Sequence, residues 1–363
     1  MLKTALKDSK IITAVILIVL IKVAELDKTL IEYHYTYGVY PIISGFLRIV
    51  FGWIPFSIGD LLYLVFIIYL LIKIRKYILL LIRRQFTKSI GRHFVRKVFL
   101  LFAFIYIVFS LLWGLNYDRL GIASQLNLDV KAYTTTDLMA LTVLLHDKLA
   151  QYAAEVDTVK REQLNHSKLL FHEAVSAYKK SDSLYPYLHY HHASIKPSLY
   201  SYIGQFIGFT GYYNPFSGEA QIKTNEPVYL KPFVVCHEMA HQLGYAKENE
   251  ANFVGYLTAK NARNTNFQYS VYFELCLYAL SDLRRRDSIA VKQFKNDWPE
   301  RVKNDYRDLI NYLEKTANPI EPYIMKFYDR YLKLNNQPHG NRTYNEVIAW
   351  LIAYMKKYGP EAI

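Results

Sequence analysis

Long apolar runs broken by short basic stretches dominate the first third of the chain. The clearest, Val98 to Leu115, is 18 residues without a charge, with Arg96 and Lys97 before it and Asp118 and Arg119 after it. A helix of that length crosses a hydrocarbon core of about 30 Å. A second apolar run, about 54–72, contains only Asp60, near one end. A third, about 11–26, opens uncharged and then meets Lys22 and Glu25, whose polar heads must snorkel. No small-x-small site leading into a polar segment follows Ile21, so an uncleaved anchor is expected rather than a signal peptide. The pattern therefore predicts three transmembrane helices within residues 1–119. Residues 36–60 are aromatic and broken by Gly38, Pro41, Gly45, Gly52 and Pro55. They are expected to lie in the outer interface as an amphipathic segment, with Trp53 at headgroup level.

From about residue 120 the apolar period becomes helical. Thr134, Thr135, Thr136 and Asp137 offer N-caps for a helix to about Ala154, and helices are predicted at about 159–180, 267–285, 299–317, 319–335 and 343–357. Residues 184–230 are rich in Tyr, Gly, Pro and Ser, and Gly211 to Asn225 reads as a turn followed by a short extended segment. The expected class is mainly α (α+β): a membrane anchor over 1–119, then a helical domain over 120–363 with a small β-sheet or hairpin.

Charge orients this arrangement. Of 44 Lys and Arg against 31 Asp and Glu, residues 1–119 hold 16 against 6, which leaves 28 against 25 for the remainder. Residues 73–97 contain Lys73, Arg75, Lys76, Arg83, Arg84, Lys88, Arg92, Arg96 and Lys97 and no acid, whereas 26–53 offer only Lys28 and Arg48 as basic residues. Cytoplasmic loops carry such excesses, which places 73–97 and the N-terminus with Lys3, Lys7 and Lys10 inside, and everything after about Asn116 outside. The expectation is a multi-pass protein of the bacterial cytoplasmic membrane with its larger domain extracytoplasmic. A basic excess confined to membrane flanks implies a lipid bilayer as partner and no nucleic acid. Two cysteines, Cys236 and Cys276, without CxxC, exclude a disulfide scaffold and a thiolate zinc ribbon, and their pairing is not expected.

The chemistry concentrates in one stretch, Pro232 to Phe253, which contains His237-Glu238-Met239-Ala240-His241. On a helix, His237 and His241 project from one face and can bind one Zn²⁺, while Glu238 flanks that face as a general base for an activated water. Val234, Val235, Met239 and Ala240 give the helix an apolar side, and Gly244 suits its C-terminal stop. A catalytic zinc needs a third protein ligand and one open position. Glu248 and Glu250 follow on a second helix. Glu248 is preferred because Asn252 stands four residues on and can orient a ligand from behind, and Glu250 is the alternative.

HEMAH followed by ENEAN resembles the gluzincin branch of zinc metallopeptidases. With the three spans, Trp113 to Gly121 (WGLNYDRLG), Tyr213 to Gln221 (YNPFSGEAQ) and Cys236 to Leu257, nearly the whole chain resembles an uncharacterised bacterial family of membrane-anchored, zinc-peptidase-like proteins known as a domain of unknown function. The resemblance implies a zincin-like domain and Zn²⁺ as cofactor, with a peptide or protein as substrate. The gap from His241 to Glu248 is shorter than in most gluzincins, and Asn252 stands where Asp is frequent, so the third ligand stays open between Glu248 and Glu250.

Zincins pair substrate backbone with an edge strand near the metal. Gly218, Glu219, Ala220 and Gln221, at the start of the main extended segment before the motif, are the candidate, against an ordinary surface hairpin. Tyr269 and Tyr272 are candidate oxyanion donors, although core packing suits them better in a chain of 33 tyrosines. His189, His191 and His192 read as a polar loop, Cys236 as a buried small residue, and Asp60 as an interfacial group. The readings to weigh are a membrane-anchored zinc metallopeptidase and, alternatively, a catalytically inactive zinc-binding scaffold or sensor. Cleavage inside the membrane is excluded, because 231–247 carries Lys231, His237, Glu238, His241 and Lys247 and cannot form a lipid-exposed span.

Overall fold

A computed structural model describes residues 8–363. Lys3 and Lys7 lie outside the described residues. Helix α1 (Ser9–Ala24) begins at Asp8, whose carboxylate accepts from the Lys10 amide. A π-helical stretch (Ile31–Val39) runs directly into α2 (Tyr40–Gly52). Pro55 and the Ser57 N-cap open α3 (Ile58–Ile82), and the Thr87 N-cap opens α4 (Lys88–Leu112).

Where three spans are expected, one described helix, α4, is long and apolar enough to cross a membrane by length and composition. The reasons are physical. Helix α1 has 16 residues, short of the roughly 20 that a bilayer requires. Helix α3 has 25 but runs past its apolar part through Lys73, Arg75 and Lys76.

Residues 36–60 form the π-helical turn and α2, and α2 is two-faced. Tyr40, Ser44 and Arg48, four residues apart, are buried, while Ile42, Phe46, Ile49 and Trp53 are exposed.

The second part is helical with a small sheet, as its pattern predicts. Helix α5 (Thr135–Glu155) starts with a capping box between Thr134 and Asp137. The helix expected at 159–180 is split by a turn at Leu164–His166 into a short helix (Thr158–Gln163) and α6 (Ser167–Asp182). Strands β1 (Ile195–Pro197), β2 (Gly211–Asn214) and β3 (Glu219–Ile222) form one sheet in the order β1-β3-β2. Helices α7 (Lys231–Gln242), α8 (Glu248–Lys260) and α9 (Thr265–Leu283) follow, then α10 (Glu300–Thr316), α11 (Glu321–Leu334) and α12 (Val347–Tyr358). The core is built around α7, α8 and α9, where Val235, Met239, Phe253, Tyr256 and Phe273 are buried.

Strand β3 is not an edge. It pairs in parallel with β1 on one side and antiparallel with β2 on the other, so Ala220 and Gln221 are buried and unavailable to a substrate backbone. Gly218 belongs to the β2–β3 turn and packs against Leu47 and Arg48. Glu219 has a different task. Its buried carboxylate accepts from the Ile58 and Gly59 amides at 3.1 and 2.7 Å and from the Ser57 hydroxyl at 3.2 Å. It therefore caps the start of α3 and complements the positive end of that helix. Asp60 is buried rather than interfacial, accepting from the Leu199 amide at 2.7 Å and from Tyr212.

Glu219→Ala strands these buried donors, and each unsatisfied group costs about 1 to 3 kcal/mol. The variant is expected to lose about 2 to 4 kcal/mol in total, seen as a lower heat-denaturation midpoint of the detergent-solubilised chain.

Candidate metal centre

Helix α7 carries His237, Glu238 and His241, all buried. Its C-terminal turn is shaped by Gly244, whose φ of +84° favours glycine and turns the chain toward α8. The last carbonyls of α7 lack full helical partners: the Gly244 amide donates to that of His241 at 2.9 Å, and the N-terminal part of the chain supplies further donors. Tyr40 donates to the carbonyls of His241 (3.2 Å) and Gln242 (3.1 Å), Ser44 to Gln242 (3.0 Å), and the Trp113 indole to His241 (3.3 Å). Arg119, ion-paired with Glu32, donates to the Gly244 carbonyl at 3.1 Å.

Each motif histidine is oriented through Nδ1. The His241 Nδ1 donates to the Tyr245 carbonyl at 2.7 Å. The His237 Nδ1 lies 2.8 Å from Asn252 Oδ1, and since Asn252 Nδ2 donates to the Tyr344 carbonyl at 3.1 Å, Oδ1 is the acceptor. Both protons are thereby fixed on Nδ1, and the two Nε2 lone pairs face each other 3.1 Å apart. Glu248 Oε2 joins them at 3.2 Å from His237 and 3.7 Å from His241.

Two ligands of one tetrahedral zinc, each at 2.0 to 2.1 Å, lie about 3.4 Å apart, so the three separations suit a single ion. The buried Glu248 Oε2 has no hydrogen-bond partner to take that place. Three such donor atoms converging in a buried site can hold a metal ion. Burial disfavours a charged His241, yet the Glu248 carboxylate beside it raises its pKa to about 9, so a metal ion entering the site displaces a proton. Burial likewise disfavours ionised Glu248, but the neighbouring His237 and His241 imidazoles hold its carboxyl below the usual range.

Glu250, the alternative ligand, turns away. Its carboxylate packs against Gly121, on the side of Arg119 and Lys247. Asn252 orients His237 rather than Glu248. The Glu248 carboxylate is steadied instead by the Tyr328 hydroxyl, which donates to Oε1 at 2.9 Å.

Glu238 stands beside the cluster. Burial pushes its pKa up to about 7, and its buried Oε2 has no partner. Strand β2 begins against it: a Cβ on Gly211 would fall 2.7 Å from Glu238 Oε1, so only glycine lets the strand approach this closely. His237, Glu238, His241 and Glu248 open into a cavity of about 1180 Å³, whose wall includes Gly211, Tyr213, Tyr328 and Tyr344.

Sequence reasoning missed the two tyrosines. The Tyr344 ring stacks on His237 (centroids 6.3 Å apart, 15° between planes), and its hydroxyl lies 3.2 Å from that of Tyr328. Among so many tyrosines no spacing marks either one. The candidates Tyr269 and Tyr272 lie elsewhere: Tyr269 donates to Asp305 on α10, and Tyr272 stacks on Tyr152. His189 pairs with Asp182, and no metal-binding group forms there among the described residues. Cys236 and Cys276 are buried and free.

The family model described as "Protein of unknown function (DUF3810)" matches residues 35–352. The chain belongs to this family. The expected resemblance to a family known as a domain of unknown function is thereby borne out, and the match runs from within the π-helical stretch, through the candidate metal cluster, to the middle of α12. Searches of curated proteins and of solved structures gave no match.

Zinc titration of the full chain in detergent distinguishes the two glutamates. Glu248→Gln is expected to weaken binding far more than Glu250→Gln. Asn252→Ala is expected to weaken it about 10- to 100-fold by freeing the His237 ring.

Proposed function

We propose that the protein is a membrane-anchored, zinc-dependent metallopeptidase whose site faces the extracytoplasmic side. The observation that carries this reading is the partnerless Glu238 carboxylate beside three converging donors, all open to one cavity. A purely structural zinc is closed by four protein ligands, whereas three ligands and an open cavity leave room for a reaction. This favours the peptidase over the inactive scaffold or sensor.

His237, His241 and Glu248 would hold the ion. Bound there, Zn²⁺ supplies a Lewis acid and makes water easier to deprotonate. Glu238 accepts a proton from the attacking water and returns it to the leaving nitrogen. A C–O bond forms at the carbonyl carbon, the C–N bond breaks, and a carboxylate and an amine result. Tyr344, on the cavity wall with its ring stacked on His237, is the candidate donor to the developing oxyanion, since Tyr328 already donates to Glu248. The free edge of β2, rather than β3, offers backbone groups to an extended peptide.

Membrane anchoring is supported by where the apolar side chains lie. On α3 only Gly59 and Asp60 are buried, and Val65, Leu71 and Ile72 are at least 60% exposed. Leu20 and Val23 on α1 and Phe102 and Phe104 on α4 are similarly bare. Lipid removes the cost of leaving such surface in water, about 25 cal/mol per Å². We therefore read α1, α3 and α4 as one three-helix anchor in the bacterial cytoplasmic membrane. The short α1 is completed by Lys22 and Glu25 snorkelling, and the outer face of α2 lies in the interface.

Glu238→Gln is expected to keep one zinc per chain while hydrolysis of a mixed peptide library falls by about 10²- to 10⁴-fold; undiminished cleavage overturns the mechanism. For topology, a cysteine replacing Arg307 should react with an impermeant maleimide on intact spheroplasts, and one replacing Gln85 only after lysis. The opposite pattern reverses the orientation.

A further inference from the structure

The cavity does not end at the metal cluster. One face of α4 lines it continuously: Phe102, Ile105, Tyr106, Phe109, Ser110 and Trp113 recur at the three- and four-residue steps of a helical stripe. At the upper end the Trp113 ring meets the His241 ring edge-on with centroids 5.9 Å apart. At the lower end Phe102 is 66% exposed, on the one helix that passes for a membrane span by length and composition. Eleven residues of helix separate Trp113 from Phe102, about 16 Å along the axis. That is about half of a 30 Å hydrocarbon core. With α4 read as a span, the groove runs from the level of the outer leaflet to the candidate metal residues.

Its chemistry changes along the way. Phe102 and Ile105 line its lower part. At the level of Tyr106, below Phe109, the Lys22–Glu25 ion pair (2.6 Å), with the Tyr106 hydroxyl donating to Glu25 at 3.2 Å, adds a polar belt. Above the belt lie the metal donors and Glu238. This order suits a molecule with an apolar tail and a polar body.

Volume decides which kind of tail. A helix 10 to 12 Å across and 16 Å deep needs about 1300 to 1800 Å³. The whole cavity is about 1180 Å³, and part of that surrounds the metal residues. A single methylene chain, about 4 to 5 Å across at van der Waals contact, needs about 200 to 300 Å³ over the same depth.

Resting on the peptidase reading above, we propose that the substrate is a peptide bearing one long acyl chain. The chain lies along the Phe102–Phe109 stripe in the outer leaflet, and the scissile amide reaches the metal residues from the membrane side. Unacylated peptides then lack the contact that holds them at the site. A membrane-spanning helical polypeptide needs more room than the groove encloses.

The test uses the full chain, zinc-loaded, in lipid nanodiscs. Three peptide libraries share the same random region and carry an N-terminal palmitoyl group, an acetyl group or a leucine-rich transmembrane helix. Hydrolysis is read by mass spectrometry. In parallel, a palmitoyl peptide with a diazirine in the acyl chain is photocrosslinked to the Glu238→Gln variant and the crosslinks are mapped. The expected result is at least tenfold faster hydrolysis of the palmitoyl library, with crosslinks on residues 102–109. Ile105→Trp should fill the groove and remove the crosslinks while zinc content is kept. Equal rates for the palmitoyl and acetyl libraries, or crosslinks elsewhere, overturn the acyl proposal and leave the peptidase standing. Preference for the helix-bearing library overturns it in favour of a membrane-spanning substrate. If no library is cleaved, the peptidase reading falls, and the crosslinks alone decide whether the groove holds an acyl chain.

Discussion

The C-terminal turn of α7 leaves carbonyl groups without full helical partners, and the site depends on how they are satisfied. A helix end buried without donors is costly. Here the donors come from distant parts of the sequence: Tyr40 and Ser44 on α2, Trp113 after α4, and Arg119 beyond it. His241 is thereby held from three directions, by its own carbonyl, by the Tyr245 carbonyl on Nδ1 and by the Trp113 ring. The N-terminal helices are therefore part of the candidate site's support. A buried cluster joining Ile21, Ile31, Tyr35, Tyr40, Trp113, Leu115 and Tyr117 with Tyr213 and Ala246 makes the same connection in apolar contacts.

The sheet makes a second connection. Glu219 on β3 caps α3, while Asp60 near the start of α3 holds the Leu199 amide that follows β1. Gln242, the last residue of α7, donates to the Ser194 and Gly218 carbonyls at the ends of the strands and accepts from Tyr190 at 2.6 Å. Helix α7, the sheet and the N-terminal helices are thus joined by buried polar groups whose partners are fixed. Such networks specify one arrangement because every alternative leaves a donor or acceptor unpaired.

Much of the helical framework was legible in the chain. Thr134 to Asp137 announced an N-cap, which the structure closes as a capping box, and the helices near 265–283, 300–316 and 347–358 followed from their apolar period, each within a few residues. Leu164 to His166 broke a helix that period alone joined, because a local turn is invisible to a long window. The extended segment at 219–222 was recognised as a strand, but its place in the sheet was not. Centrality depends on β1, which precedes β3 by more than twenty residues and pairs with it in parallel.

What the sequence determined by itself was local: the spacing that puts His237 and His241 on one face of a helix, the glycine that ends it, and the apolar runs of the anchor. These follow from a 3.6-residue period and from backbone conformations that a few neighbouring residues impose. Tertiary structure alone decided that Glu248 and not Glu250 joins the cluster, that Asn252 serves His237, and that Tyr328 and Tyr344 complete the wall. Those choices depend on how α8 packs on α7 and how α11 and the turn Gly340–Glu346 pack against each other and α8, and packing is set by shape and by pairing of buried polar groups across the chain, which no spacing within one segment records.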